Sequence, residues 1–188
     1  SENLRYRSRV HEYIYNPDNT EHIKSDNIFI DDLPDNEHGV RSRNRFRRDI
    51  DLLLLEDKDE PRNARTLMYL AKTYTLLKEY EKAIEYYTEI ISSLDDNSEI
   101  KSDLLYRRGG SYERLGNFQK ADGDLKYSLR INPDDAYVLN YLAYSWLERD
   151  YKIDEAMRML EKAYALRSND PYITDSIGWA YYLIENYS

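Results

Sequence analysis

Arg107-Arg108-Gly109-Gly110-Ser111-Tyr112-Glu113-Arg114-Leu115-Gly116-Asn117-Phe118-Gln119-Lys120-Ala121 is the stretch that decides the fold. A small residue (Gly109) is followed three positions later by an aromatic (Tyr112) and nine positions after that by Ala121, with Gly116 between them. The same order returns about every 34 residues, as Ala71, Tyr74, Ala83 upstream and as Ala143, Trp146, Ala156 downstream, where one extra residue intervenes. A further copy begins with Gly178 and Tyr181. This spacing belongs to helix-turn-helix repeats, in which small residues let paired helices approach and the aromatic fills the gap above them. Function is therefore expected on a surface and not in a buried pocket.

Outward from that stretch, the apolar spacing and its punctuation predict paired helices at 64–77 and 80–94, 101–115 and 118–131, 136–148 and 153–167, and a last helix at 171–184. Gly116 suits the left-handed residue that closes a helix. Lys78 stands at the equivalent place, where that conformation costs about 1 kcal/mol. A capping helix from about Arg43, with Phe46, Ile50, Leu53 and Leu54 on one face, is ended by Pro61. Residues 1–40 read differently. Tyr6, Val10, Tyr13 and Tyr15 predict one short strand and Asn27-Ile28-Phe29-Ile30 another, with turn chemistry at Asn16-Pro17-Asp18-Asn19 and Leu33-Pro34-Asp35-Asn36.

Bulk composition narrows the function. The 188 residues carry 41% hydrophobic and 34% charged side chains, which suits a thin continuous core under a solvated surface. With no cysteine, disulfides and thiolate metal sites are excluded. The net charge of −9, concentrated on the repeats, argues against a general nucleic-acid binder. Leu52–Leu55 is the longest apolar run, far short of a membrane span, and no signal peptide is visible; a cytoplasmic protein is expected.

The repeats resemble the tetratricopeptide repeat, or TPR, family. Leu67, Leu70, Ala71, Tyr74, Tyr80, Ala83, Tyr87 and Ile90 carry the resemblance in the first repeat. Leu105, Gly109, Tyr112, Gly116, Phe118, Ala121, Leu125, Ser128 and Pro133 carry it in the second, and Leu139, Leu142, Ala143, Trp146, Ala156, Leu160 and Ala163 in the third. The expected fold is an all-α, right-handed TPR solenoid: a partly extended segment (1–40), a capping helix (41–60), repeats at 64–97, 102–135 and 136–170, and the first helix of an incomplete fourth repeat (171–188). Arg108 departs from the family, which usually has a buried leucine there; its stem is expected to pack and its head to reach solvent.

Two finer resemblances divide the chain. Val10-His11-Glu12-Tyr13, His38-Gly39-Val40-Arg41-Ser42, Arg45-Phe46 and Thr66-Leu67-Met68-Tyr69-Leu70-Ala71 look like the C-terminal end of a GT-A-type glycosyltransferase running into its own TPRs, of the kind found in bacteria and giant viruses. Leu139–Trp146 and Asp175–Ala180 look instead like TPR proteins of alphaproteobacteria, Rickettsia in particular. The join would lie near Ser93–Lys101, where four extra residues interrupt the repeat phase, and a chimera, engineered or naturally recombined, is one reading.

Candidate sites follow from register. In the resembled glycosyltransferases the His11-Glu12 segment lies near the acceptor and metal site, but the nucleotide-binding half such an enzyme needs is missing, so no catalytic residue, metal or cofactor is expected. Asp31-Asp32 and Asp95-Asp96 read as solvated loop acids. Arg41, Arg45 and Arg48 share a helical face and could bind an anion, or pair locally with Asp49 and Asp51. Of the 20 tyrosines, Tyr106, Tyr137, Tyr141, Tyr144 and Tyr172 fall where TPR geometry places the concave groove. They suit an extended peptide or helix, or equally serve only to stack between repeats. Gly110 would leave room there for a ligand backbone. Met68, Lys72, Tyr106 and Gly110 occupy the places where the family's clamp for acidic C-termini needs Lys and Asn, so that mechanism is not expected. A non-catalytic, protein-binding scaffold is the leading reading; an inactive glycosyltransferase fragment and a chimera without a native ligand are its alternatives. Ile173, Ile177, Tyr181 and Ile184, on a helix with no following partner, suggest a homodimer through the incomplete repeat.

Overall fold

The computed structural model describes residues 5–7, 13–15 and 38–187, with side chains described from residue 43 to 184. Two strands, β1 (Arg5–Arg7) and β2 (Tyr13–Tyr15), precede eight helices: α1 (His38–Asp59), α2 (Ala64–Leu76), α3 (Tyr80–Ser92), α4 (Glu99–Arg114), α5 (Phe118–Ile131), α6 (Ala136–Leu147), α7 (Ile153–Leu166) and α8 (Pro171–Tyr187). They fall into two compact units, residues 1–86 and 87–188.

In the first unit β1 and β2 pair antiparallel, Arg5 opposite Tyr15 and Arg7 opposite Tyr13. The stretch read as a single strand is thus two, and their pairing satisfies backbone groups that one extended strand leaves open. The expected strand at 27–30 and both expected turns lie outside the described residues. Helix α1 starts at His38, inside the last residues of the segment expected to be partly extended. Ile50 and Leu53 are buried on α1, as are Leu67, Leu70, Ala71 and Tyr74 on α2. Asn63 caps α2 by accepting from the Arg65 backbone N–H at 3.0 Å, and Glu56 of α1 accepts from Thr66 Oγ1 at 3.0 Å. Tyr74 stacks on Tyr86 at 5.6 Å between ring centroids.

In the second unit α4 packs on α5 and α6 on α7. Gly109 sits where a Cβ would come within 3.1 Å of Leu125 Cγ and 3.4 Å of the Ala121 carbonyl oxygen, so the two small consensus residues mark the tightest approach of α4 and α5. Ser102 and Ser128 bridge the same pair through their hydroxyls at 2.8 Å. Leu125, Leu142, Ala143, Trp146, Ala156, Leu160 and Ala180 form one continuous core. Trp146 is fully buried, edge-on to Tyr151 at 5.5 Å, with Lys126 and Lys152 Nζ at 4.8 and 4.9 Å from its ring.

The turn inside each repeat closes in one way. Lys78 (φ 62°), Gly116 (φ 72°) and Asp150 (φ 49°) are all left-handed, each seven residues beyond the small residue of its repeat. The next backbone N–H reaches back each time: Glu79 to Tyr74, Asn117 to Tyr112 and Tyr151 to Trp146, at 2.8 to 2.9 Å. The extra residue of the third repeat is absorbed just after this closure, where Lys152 takes a second left-handed φ of 49° before α7 begins.

The four-residue interruption between α3 and α4 is tied down. Lys101, buried on α4, donates to Asp96 Oδ1 at 2.8 Å and to the Leu94 carbonyl at 3.1 Å, and the Tyr127 hydroxyl of α5 donates to the same Asp96 oxygen at 2.9 Å. The bond from Lys101 holds the Asp96 carboxyl below its usual range. Asp96 is thus solvated, its side chain 80% exposed, and partnered as well, by Lys101 of α4 and Tyr127 of α5.

Candidate binding face on α4, α6 and α8

Three helices of the second unit present their equivalent faces together. Tyr106 of α4 meets Tyr141 of α6 edge-on, with ring centroids 5.5 Å apart and planes at 88°. Tyr141 also covers Gly110: its hydroxyl would stand 3.4 Å from a Cβ there. The space above Gly110, expected to receive a ligand backbone, is thus filled by the protein's own ring. Burial pushes the Tyr141 hydroxyl far above the usual phenol range, reinforced by its hydrogen bond to Glu113. Burial, then the neighbouring Tyr172, raises Tyr106 in the same sense.

Tyr144 and Tyr172 differ from that buried pair. They are 37% and 52% exposed. Burial of its inner edge raises the Tyr144 pKa, followed by Glu148, with Tyr172 and Asp175 contributing. Tyr137 is held at the edge, its hydroxyl donating to Asp170 Oδ2 at 2.7 Å and its ring lying under the Arg167 guanidinium at 5.1 Å. Asp170 in turn caps α8 by accepting from the backbone N–H groups of Tyr172 and Ile173. Of the tyrosines picked out by register, Tyr106 and Tyr141 therefore pack, Tyr144 and Tyr172 lie open, and Tyr137 is a strut.

Two residues belong to this face that the tyrosine count passed over. Trp179 is 40% exposed, donates from Nε1 to Glu148 Oε1 at 3.2 Å and stacks on Tyr182 at 5.4 Å. Carrying the repeat register one copy further would have found Trp179, which with the extra residue of the third repeat included is the equivalent of Tyr144; Tyr182 is the equivalent of the buried Leu147, so register gives no sign of it. Asp175, equivalent to Asn140, completes the row and borders with Thr174, Gly178 and Trp179 an open depression of about 480 Å³.

Other expectations are corrected. The Arg108 head does not reach out to solvent but grips Asp124 of α5 with two bonds of 2.7 Å, and its third nitrogen reaches Thr88. A guanidinium on a half-buried stem is better served by a bidentate carboxylate than by partial hydration. Of the residues expected at the open edge, Ile173 is fully buried and Ile177 packs against the core, while Ile184 is partly buried and Tyr181 is exposed with its hydroxyl bonded to Glu161. On α1, Arg45 and Arg48 are exposed and Arg45 lies over the Phe46 ring at 5.4 Å, while the Arg41 side chain and His11-Glu12 lie outside the described residues. Among the described residues, no group of three His, Asp or Glu is placed to hold a metal ion, and no helix is long and apolar enough to cross a membrane.

The profile of the tetratricopeptide repeat family matches residues 64–93. The helical pairs have the tetratricopeptide repeat fold. A TPR repeat-containing protein of Methanocaldococcus jannaschii is 34% identical over 125 residues, which is 65% of this chain and 21% of that protein. The crystal structure of MamA superposes with a TM-score of 0.63 over 80% of this chain and 85% of that one, at 24% identity. The first TPR of Spaghetti (RPAP3), bound to the HSP90 peptide SRMEEVD, superposes with a TM-score of 0.57 over 65% of this chain and 93% of that one, at 20% identity. At such identities the likeness is one of fold. The chain spans 14% to 21% of the length of the curated relatives it matches.

Proposed function

We propose that this TPR protein is a non-catalytic binding module whose α4–α6–α8 face receives a segment of a partner protein. The observation that carries the reading is the exposure of Tyr144, Tyr172 and Trp179 on the neighbouring helices α6 and α8, next to the packed Tyr106–Tyr141 pair. Aromatic rings with one polar edge give large contact area at little conformational cost, which is why they concentrate at binding surfaces. The superposable RPAP3 domain holds a peptide that is acidic near its end, SRMEEVD. This chain places Glu113, Glu148 and Asp175 on its face, so a ligand of that kind does not suit it, in keeping with the absence of the family's Lys and Asn clamp.

The test is selection of short peptides from a displayed random library, followed by measurement on a variant carrying Tyr144→Ala and Tyr172→Ala. Both rings are exposed, so helical circular dichroism should stay unchanged while affinity for the selected peptides drops at least about tenfold, as for truncation of hot-spot aromatics. Full affinity in the folded double variant would remove this face from the account.

A further inference from the structure

We propose that the segment taken by this face is cationic: an extended stretch with Lys or Arg alternating with apolar residues. The proposal rests on the binding role just argued for the face and adds the chemistry of the partner.

Several of the protein's other aromatic rings lie beside cations of the same chain. Lys126 and Lys152 flank Trp146, Arg149 lies 4.5 Å from the Phe118 ring, Arg130 4.5 Å from Tyr127, Lys120 5.3 Å from Tyr112, and Arg167 5.1 Å from Tyr137. Each ring face is met by a cation of the chain itself, the favourable arrangement for a ring quadrupole. Tyr144, Tyr172 and Trp179 differ from these rings: among the described residues no Lys or Arg lies over any of the three, although each is more than a third exposed. Carboxylates stand beside them instead: Glu148 accepts from Trp179 Nε1 and bonds to Tyr144, and Asp175 adds its field at Tyr144. Glu113 bonds to Tyr141 one helix away. Of the cations on this side of the unit, Arg107 is already tied to Asp103 at 2.8 Å, and Arg114 stands at the end of α4 beside Tyr141. Rings without cations, interleaved with carboxylates anchored by those rings, form a face complementary to alternating basic and apolar side chains: the ammonium or guanidinium meets ring face and carboxylate together, and the apolar residues cover the rings between.

Three labelled peptides of one length test this, alternating Leu with Lys, Gln or Glu, titrated by fluorescence anisotropy, with quenching of the exposed Trp179 as a second readout. The Lys peptide should bind at least about tenfold more tightly than the Gln peptide, the Glu peptide most weakly, and the Lys affinity should fall as salt is raised. Glu148→Gln with Asp175→Asn should abolish most of the preference for Lys. Asp95→Asn with Asp154→Asn, the same change of charge on exposed positions elsewhere, should preserve it. Equal affinities for Lys and Gln peptides, both lost on Tyr144→Ala with Tyr172→Ala, would overturn the cationic preference and leave the face as the binding site. Lys-peptide binding untouched by those tyrosine changes would overturn both. An equal loss from the Asp95 and Asp154 changes would reduce the effect to net charge and overturn the proposal as well.

Discussion

Trp146 and Trp179 sit on successive first helices of the repeats, and their surroundings are opposites. Trp146 is sealed between α6, α7 and the turn that joins them, without solvent exposure. Trp179 lies open on α8, its indole N–H on Glu148 and its ring on Tyr182. Trp146 shares the interior with Ala143, Ala156 and Leu160, whereas Trp179 shares the face with Tyr144 and Tyr172, two positions of register away within the repeat. The adjacent glycines repeat the lesson. Gly109 admits Leu125 of the paired helix, and Gly110 admits Tyr141 of the next repeat.

The largest expected effect breaks or upholds that contrast directly. Trp146→Ala should destabilise the fold by about 4 kcal/mol, as for other fully buried aromatics, whereas Trp179→Ala should cost about 1 kcal/mol or less in chemical denaturation. Comparable losses would mean that Trp179 is part of the core and that the face is not a separate region.

A smaller effect sharpens the account of the interior. Asp124→Ala strands the Arg108 guanidinium on a stem that is only 15% exposed, and a loss of about 2 kcal/mol is expected, below the value for a fully buried pair because water still reaches the site. Arg108→Leu together with Asp124→Ala should recover most of it, since an apolar side chain can take the room at that position. An additive double variant in urea denaturation would show that the pair is not coupled.

The smallest expected effect concerns the glycines of the second repeat. Gly123→Ala should raise stability by about 1 kcal/mol, because nothing lies within 4 Å of its missing Cβ and glycine is a poor helix residue. Gly109→Ala gains the same propensity but presses on Leu125 at 3.1 Å, so its net change should be smaller or negative. A thermal melt that ranks the two the other way would contradict the assignment of Gly109 to the tight crossing of α4 and α5. No feature of the structure explains why Gly123 is a glycine.

What the residues alone determined is the repeat. Small, aromatic and small residues at fixed spacing are local requirements of two helices crossing closely, so helix limits agreed with the structure to within about two residues from α2 to α7, and the left-handed closure at Gly116 and Lys78 was legible as well. The tyrosines at groove register were legible as a set. Their division into packed Tyr106 and Tyr141 and open Tyr144 and Tyr172 was not, because it depends on which neighbour from another repeat arrives over each ring. The same holds for Arg108 with Asp124 and Arg149 with Asp122, where acids on either side of Gly123 reach basic residues 16 and 27 positions away. Periodicity reports which face of its own helix a residue occupies; only the packed structure reports what faces it. For this protein, that difference separates the rings that hold the fold from the rings it presents.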